Sequence, residues 1–187
     1  LRGAPGAGGG DPEPTKPIPR ESKGPPPPMS SHMRVAQVAP LFEAVPPSGY
    51  GGTERVVSFL TEELVRQGVD VTLFASGDSV TTAELVEGSP QAIRLSPEPR
   101  DPFIWHTLQL GQVARRADEF DLIHFHTDYP HYPFSRQLGE RTLTTLHGRL
   151  DIPDLEPLYR EFRDIPVVSI SESQREPLPW ANWQGTV

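Results

Sequence analysis

Short apolar runs alternate with longer amphipathic segments along most of this chain. The short runs are rich in valine, isoleucine, leucine and threonine, which is typical of buried strands, and they lie at 34–39, 69–75, 91–95, 121–126, 142–148 and 166–171. Helical spacing of apolar residues predicts one helix from Thr53 to a C-cap at Gly68 and another from Phe103 to Ala117. Strands that alternate with helices favour right-handed crossovers. The predicted fold class is therefore α/β, a Rossmann-like three-layer domain with a mostly parallel sheet.

The N-terminal segment lacks this alternation. Its first 28 residues hold nine prolines and six glycines and almost no large apolar side chains, so it cannot bury enough surface to offset the entropy of ordering. We expect a disordered Pro/Gly-rich tail at 1–32, a Rossmann-like domain at 33–178 and the start of an interdomain linker at 179–187. Either Met29 or Met33 could be the native start.

Composition excludes several classes of protein. The formal net charge of −8 argues against a nucleic-acid partner, which requires a basic surface. The chain has no cysteine, which removes disulfides and thiolate metal sites and suits a cytoplasmic protein. No apolar run approaches the ~18 residues of a membrane span, so no transmembrane segment is expected.

Polar residues follow the predicted strands at the edge where parallel sheets bind ligands. Gly51, Gly52 and Thr53 lie between the first strand and the first helix. Backbone N–H groups of such a loop can approach a phosphate at the positive end of the helix. The same residues also fit a plain turn in which Thr53 is the N-cap, and spacing alone leaves both interpretations open.

Histidines end two of the predicted strands. His147 follows the fifth strand, where an imidazole could bond a sugar hydroxyl or a developing charge. His124, His126 and Asp128 share one face of an extended segment. Neighbouring same-face residues lie ~6.6 Å apart in a strand, which is awkward for a compact ligand set, so we predict no metal site. His124 is expected to be a packing residue.

Aromatic residues gather near the C-terminus. Tyr159, Phe162, Trp180 and Trp183 could form an apolar surface on which a second domain sits. Ser171 is placed to be the N-cap of a short helix after the sixth strand.

Six motifs occur in an order that resembles a known family. They are Met33-Arg34-Val35-Ala36, Gly49-Tyr50-Gly51-Gly52-Thr53-Glu54-Arg55, Gly68-Val69-Asp70-Val71-Thr72-Leu73-Phe74-Ala75, Asp121-Leu122-Ile123-His124-Phe125-His126, Thr144-Thr145-Leu146-His147-Gly148 and Val168-Ser169-Ile170-Ser171-Glu172-Ser173-Gln174. Together they resemble the N-terminal domain of the family 4 retaining glycosyltransferases (glycosyl transferases group 1), which have the GT-B architecture.

The resemblance implies transfer of a sugar, with retention, from a nucleotide-diphosphate sugar to an acceptor that is a sugar, a lipid-linked or a small molecule. It implies no metal and no further cofactor, and it leaves peripheral membrane contact open. Gly51 and Gly52, at the start of the Thr53 helix, would approach the donor diphosphate and the acceptor. His147 would be the catalytic residue that contacts the transferred sugar. The remaining strand-end candidates would bind the acceptor: His126, Asp128 and Arg149.

The chain departs from the family pattern in one respect. No residues correspond to the donor domain, which carries the basic pair and the paired glutamates of the family. We therefore expect this chain alone to lack appreciable transferase activity. Alternatives are the corresponding half of a sugar-nucleotide epimerase or phosphorylase, and a non-catalytic acceptor-binding module. A nicotinamide-dependent enzyme is least favoured because the glycine fingerprint is absent.

Overall fold

The computed structural model describes residues 33–94 and 96–187. The disordered tail expected at 1–32 lies outside these described residues. Seven strands form one sheet in the order β3-β2-β1-β4-β5-β6-β7, and every neighbouring pair is parallel. The strands are Arg34–Val38 (β1), Asp70–Ser76 (β2), Glu84–Ser89 (β3), Leu122–Phe125 (β4), Thr142–Thr145 (β5), Val167–Ser169 (β6) and Trp183–Thr186 (β7). The predicted α/β class with a parallel sheet is confirmed.

Helices connect the strands and cover the sheet. They are Gly52–Arg66 (α1), Pro102–Arg116 (α2), Tyr132–Leu138 (α3), Leu155–Glu161 (α4) and Glu172–Arg175 (α5), with short 3₁₀ turns at Ala117–Glu119 and Gly139–Arg141. Asp101 begins α2 because its carboxylate accepts the backbone N–H groups of Phe103 and Ile104, at 2.8 and 3.4 Å. Gln67 is the C-cap of α1, one residue before the predicted position, and Gly68 follows it with a φ of 84°, the left-handed conformation that commonly ends a helix.

The core lies on both faces of the sheet because strand side chains alternate between them. On one face Phe74 of β2 and Phe125 of β4, the strands on either side of β1, pack with Val113 of α2. On the other face Leu73 packs with Val57 of α1. Helices therefore cover both faces, which gives the expected three layers.

The third strand lies earlier in the chain than expected. β3 is Glu84–Ser89, and none of residues 91–94 is in a strand. The two glutamates of β3 interrupt the apolar pattern by which strands were predicted. The strand tolerates them because it lies at the edge of the sheet, where Glu84 bonds Thr72 and Arg116. Ile93 is instead buried under the loop after β1, where its N–H donates to the carbonyl of Leu41 at 2.9 Å.

The sheet also continues past residue 178, where the sequence placed the end of the domain. Residues 183–186, expected within a linker, form β7 and pair with β6. The expected apolar surface near the C-terminus is largely covered, since Tyr159 is in the core and Trp183 is partly buried against it. Arginine side chains lie over the partly buried rings, with Arg160 over Trp180 and Arg175 over Trp183.

Candidate functional site

The strand order turns between β1 and β4, which places the expected ligand site at the carboxyl ends of these two strands and of β5. The loop 39–51 leaves β1, and residues 126–131 and 146–154 follow β4 and β5. The sequence-predicted residues His126, Asp128 and His147 therefore lie at one edge of the sheet.

A line of five polar side chains runs from the sheet to this edge. Thr145 Oγ1 lies 2.8 Å from His124 Nε2, and His124 Nδ1 lies 3.5 Å from the amide nitrogen of Gln37. The amide oxygen of Gln37 lies 3.0 Å from His126 Nε2, and His126 Nδ1 lies 2.9 Å from His147 Nε2. We call this set the histidine chain. Its first four members are buried and His147 is half-buried.

Burial keeps these histidines neutral at pH 7. It lowers the pKa of His124 and of His147 to about 4. The pKa of His126 is well below its ordinary value, first because of burial and then because His124 and His147 are neighbours. A neutral imidazole has one donor and one acceptor nitrogen, so each ring bonds directionally.

The structure separates the roles of His126 and His147. His126 is 2 % exposed, and both of its ring nitrogens are bonded within the protein. No atom of its ring is left for an acceptor, so the predicted direct acceptor contact does not fit this geometry. His147 has one bonded nitrogen, and no hydrogen bond to its Nδ1 is formed within residues 33–94 and 96–187.

Asp128 contacts the His147 segment directly. Its backbone has a φ of 54°, a left-handed conformation that is uncommon outside glycine and in which asparagine, aspartate and histidine are enriched. Its carboxylate accepts the backbone N–H of His147, and burial raises the pKa of that carboxyl. His131 supports the turn by donating from Nε2 to the carbonyl of Asp128 at 2.9 Å.

Arg149 takes a different position. Its guanidinium is exposed and bonds the carboxylate of Asp151 at 2.6 and 2.7 Å. Nothing in the described residues joins it to the histidine chain, so the structure does not bring this predicted acceptor-binding residue together with His147.

The glycine loop is held tightly at the start of α1. Gly51 has a φ of 146°, and a β-carbon there would lie 2.7 Å from Cβ of Pro47, so only glycine fits without strain. Gly52 begins the helix, and a β-carbon there would meet nothing within 4 Å. Thr53 is the second helical residue and Gly51 is the N-cap, with no side-chain cap bond. The alternative that made Thr53 the N-cap is wrong.

A carboxylate already lies at this helix start. Glu54 is buried in the first turn of α1, and its carboxylate accepts the backbone N–H groups of Glu54 itself and of Glu43. Burial raises the pKa of Glu54. The loop is also fastened by Arg94, which forms a 3.0 Å ion pair with buried Glu43 and lies over the ring of Tyr50.

One further residue fixes His147 from the side of β6. The side-chain amide of Gln174 donates to the carbonyls of Leu146 and Gly148, at 2.9 and 2.7 Å, and its oxygen accepts the N–H of Ile170. Ser171 accepts the N–H of Gln174, which confirms Ser171 as the N-cap of α5. Gln174 therefore holds the backbone on both sides of His147.

The described residues contain neither a metal-ligand cluster nor a membrane-spanning helix. No group of three or more histidine, cysteine, aspartate or glutamate side chains is arranged to hold a metal ion in this part of the chain. Within the same residues, no helix combines the length and apolar character needed to cross a membrane.

A parallel seven-stranded sheet with its polar site at the switch point defines a Rossmann-like domain of the kind that binds its ligand at the strand ends. The chain belongs to Glycosyltransferase Family 4, because residues 50–178 match the model of that family. The predicted family is thus confirmed, and the chain contains its N-terminal domain.

Comparison with solved structures agrees on the fold. Sucrose-phosphate synthase from Thermosynechococcus elongatus is similar, with a TM-score of 0.57 and 17% identity. The match covers 82% of this chain and 47% of the synthase, so this chain spans about half the length of that relative. No curated protein sequence is significantly similar to this chain.

Proposed function

We propose that this chain is the acceptor-side half of a retaining glycosyltransferase whose donor is a nucleotide-diphosphate sugar. The observation that carries the proposal is the position of His147, a half-buried neutral imidazole with one unbonded ring nitrogen at the carboxyl edge of the sheet. Family membership supports a transferase, and the fold is that of a half of a two-domain enzyme of this type.

The glycine loop is assigned to the donor diphosphate. Gly52 leaves the backbone open to close approach at the positive end of α1, and Gly51 provides the positive φ of the turn that leads into it. The Glu54 carboxylate uses its own N–H, so the N–H groups of Gly52 and Thr53 are the ones offered to phosphate oxygens. The ion pair between Arg94 and Glu43 keeps the loop in place.

His147 is assigned to the transferred sugar. Asp128 is assigned to the acceptor, because its position at the strand end beside His147 suits a bond to an acceptor hydroxyl. Arg149 would reach an acceptor only after leaving Asp151. His126 acts through His147 in this assignment. The acceptor is a sugar, a lipid-linked or a small molecule, and the proposed compartment is the cytoplasm.

In the proposed reaction the bond between the anomeric carbon and the diphosphate oxygen breaks, and a bond to the acceptor oxygen forms on the same face. The acceptor hydroxyl gives its proton to the departing diphosphate oxygen, and the nucleoside diphosphate leaves with its remaining negative charge. Stabilising that charge is a principal electrostatic task, and we assign it to the donor half of such an enzyme and to none of these 187 residues. The chain alone is therefore expected to be inactive.

The test compares this chain alone with a protein that continues into the donor half. Each is given a panel of UDP-, GDP- and ADP-sugars with candidate acceptors, and products are identified by NMR. We expect transfer only with the donor half present, with the anomeric configuration of the donor kept. Robust transfer by the chain alone would refute its inactivity, and an inverted product would refute retention.

A further inference from the structure

The hydrogen bonds of the histidine chain all donate in a fixed direction, and one member of the chain sets that direction. Imidazole rings and hydroxyls can exchange their donor and acceptor roles, whereas a side-chain amide has a nitrogen that only donates and an oxygen that only accepts. Gln37 is the only amide among the five members of the histidine chain. It is the fourth residue of β1 and is fully buried.

The roles of the rings follow from the two ends of this amide. The oxygen of Gln37 accepts from His126 Nε2 at 3.0 Å, so that nitrogen carries the proton and His126 Nδ1 must accept. The nitrogen 2.9 Å away, His147 Nε2, therefore donates to it. On the other side the amide nitrogen donates to His124 Nδ1, and His124 Nε2 donates to the hydroxyl of Thr145.

We propose that Gln37 is a positioning residue that sets the tautomer of His147 through His126, so that His147 offers Nδ1 as a hydrogen-bond acceptor to a substrate hydroxyl. The part that concerns the substrate rests on the proposed function. The tautomer itself is a property of the chain without ligand. A lone pair at this position selects a hydroxyl donor over a fully ionised phosphate oxygen, which can only accept.

The tautomers favour this direction over its reverse. The proposed direction gives all three histidines the Nε2–H tautomer, which imidazole side chains prefer in water. The reversed chain would require Nδ1–H in every ring and would make His147 a donor.

The arrangement depends on neutral rings, and the structure provides them. Burial is the first cause of the low pKa of His124, His126 and His147. Each ring therefore keeps a single proton at pH 7, and its position is set by its partners rather than by solvent.

The experiment measures the tautomers directly on the 187-residue chain. Long-range ¹H–¹⁵N correlation spectra of the ¹⁵N-histidine-labelled protein at pH 7 distinguish a protonated from an unprotonated ring nitrogen, and a His147→Gln variant assigns the His147 signals. We expect His147 to be protonated at Nε2 alone. A wild-type His147 protonated at Nδ1 would overturn the proposal, and so would averaging over both forms.

One variant tests the role of Gln37. Gln37→Met keeps the length and removes both amide groups, so the two His147 nitrogens should move towards a common averaged shift. An unchanged His147 tautomer in a folded Gln37→Met variant would refute the role. If that variant does not fold, the wild-type spectra decide, because a His126 that is unprotonated at Nε2 could not donate to the oxygen of Gln37 and would refute the role as well.

Because no substrate is added, this result is independent of the transfer assay. If the tautomer is confirmed but the protein that includes a donor half transfers no sugar, the role of Gln37 stands and the proposed function is refuted. If sugar is transferred but His147 is protonated at Nδ1, the role of Gln37 is refuted and the proposed function stands.

Discussion

At the amino edge of the sheet exposed charged side chains pair with one another, whereas at the carboxyl ends of β4 and β5 buried neutral histidines bond one another. Arg34 binds Asp121 at 3.0 Å, and Arg136 binds Asp164 at 2.7 Å. At the carboxyl edge Asp128 forms no salt bridge within the described residues, and the buried hydroxyl of Thr127 has no partner there. The unpaired Asp128 and the unbonded Nδ1 of His147 mark the place at the carboxyl edge where a ligand is expected.

Lowering the pH should give the largest difference between the two edges, because the buried neutral histidines lie at the carboxyl edge. The folded pKa is about 4 for His124 and His147 and about 3 for His131, against about 6.5 in the unfolded chain. The unfolded state then binds more protons, so stability falls as pH drops from 6.5 towards 4. Each such histidine contributes about 1.4 kcal/mol per pH unit in this window.

Urea unfolding at pH 7, 6 and 5 and constant ionic strength would measure this loss. The raised pKa values of Glu54 and Asp128 act in the opposite sense, and two carboxyls do not offset the whole set of buried histidines. The amino-edge carboxyls have lowered pKa values and stay ionised throughout. Equal free energies of unfolding at pH 7 and pH 5 would contradict the neutral histidine chain.

Removing the imidazole at the carboxyl edge should abolish most of the transfer. In a protein that includes the donor half, His147→Ala is expected to lower kcat/KM by about 10²-fold, the lower end for loss of a positioned acid or base group. The matched control is Asp121→Asn at the amino edge, which should stay within about twofold of the wild type because it is remote from the strand ends. Similar losses in both variants would show that the edges do not differ in function.

Two adjacent glycines test the loop without changing any charge. Gly51→Ala should destabilise the chain by about 1–3 kcal/mol, because its φ is 146° and the added carbon meets Pro47. Gly52→Ala places the same carbon in open space and should change the free energy of unfolding by less than about 0.5 kcal/mol. Denaturant titration of both variants gives the comparison, and equal losses would contradict the strain at Gly51.

The smallest effect is expected at the amino edge itself. Asp121→Asn removes a carboxylate that bonds Arg34, with both side chains well exposed. Exposed ion pairs contribute little because water and salt screen them. The denaturation midpoint should stay within experimental error of the wild type. A loss as large as that of Gly51→Ala would mean that the amino edge is more than a surface network.

The sequence predicted the sheet well where strands are buried on both faces. β1, β2 and β4 have β-branched and apolar runs whose period needs no tertiary information. β3 was misplaced because an edge strand tolerates the glutamates Glu84 and Glu87, and Glu84 is satisfied by Arg116 from another element. β7 was missed because Trp183-Gln184-Gly185-Thr186 has little strand character apart from its pairing with β6.

The site was predictable only in part. The strand-end rule found His147 and the glycine loop without any coordinates. It could not find Gln37, because a polar residue inside a strand usually indicates a solvent-facing position. Gln174 was also beyond reach, because its bonds to the carbonyls around His147 span 26 and 28 positions of the chain. Such partners come together only when the chain folds, so the local sequence pattern does not predict them.

The late position of β7 has a consequence for how the protein is made. β6 has three residues and pairs with β5 on one side and β7 on the other. During synthesis β7 is the last of the seven strands to leave the ribosome, so the edge of β6 and the rings beside Trp183 stay uncovered until then. A shortened gene product that ends at 178 would keep the unpaired edge of β6 exposed and would be prone to aggregate.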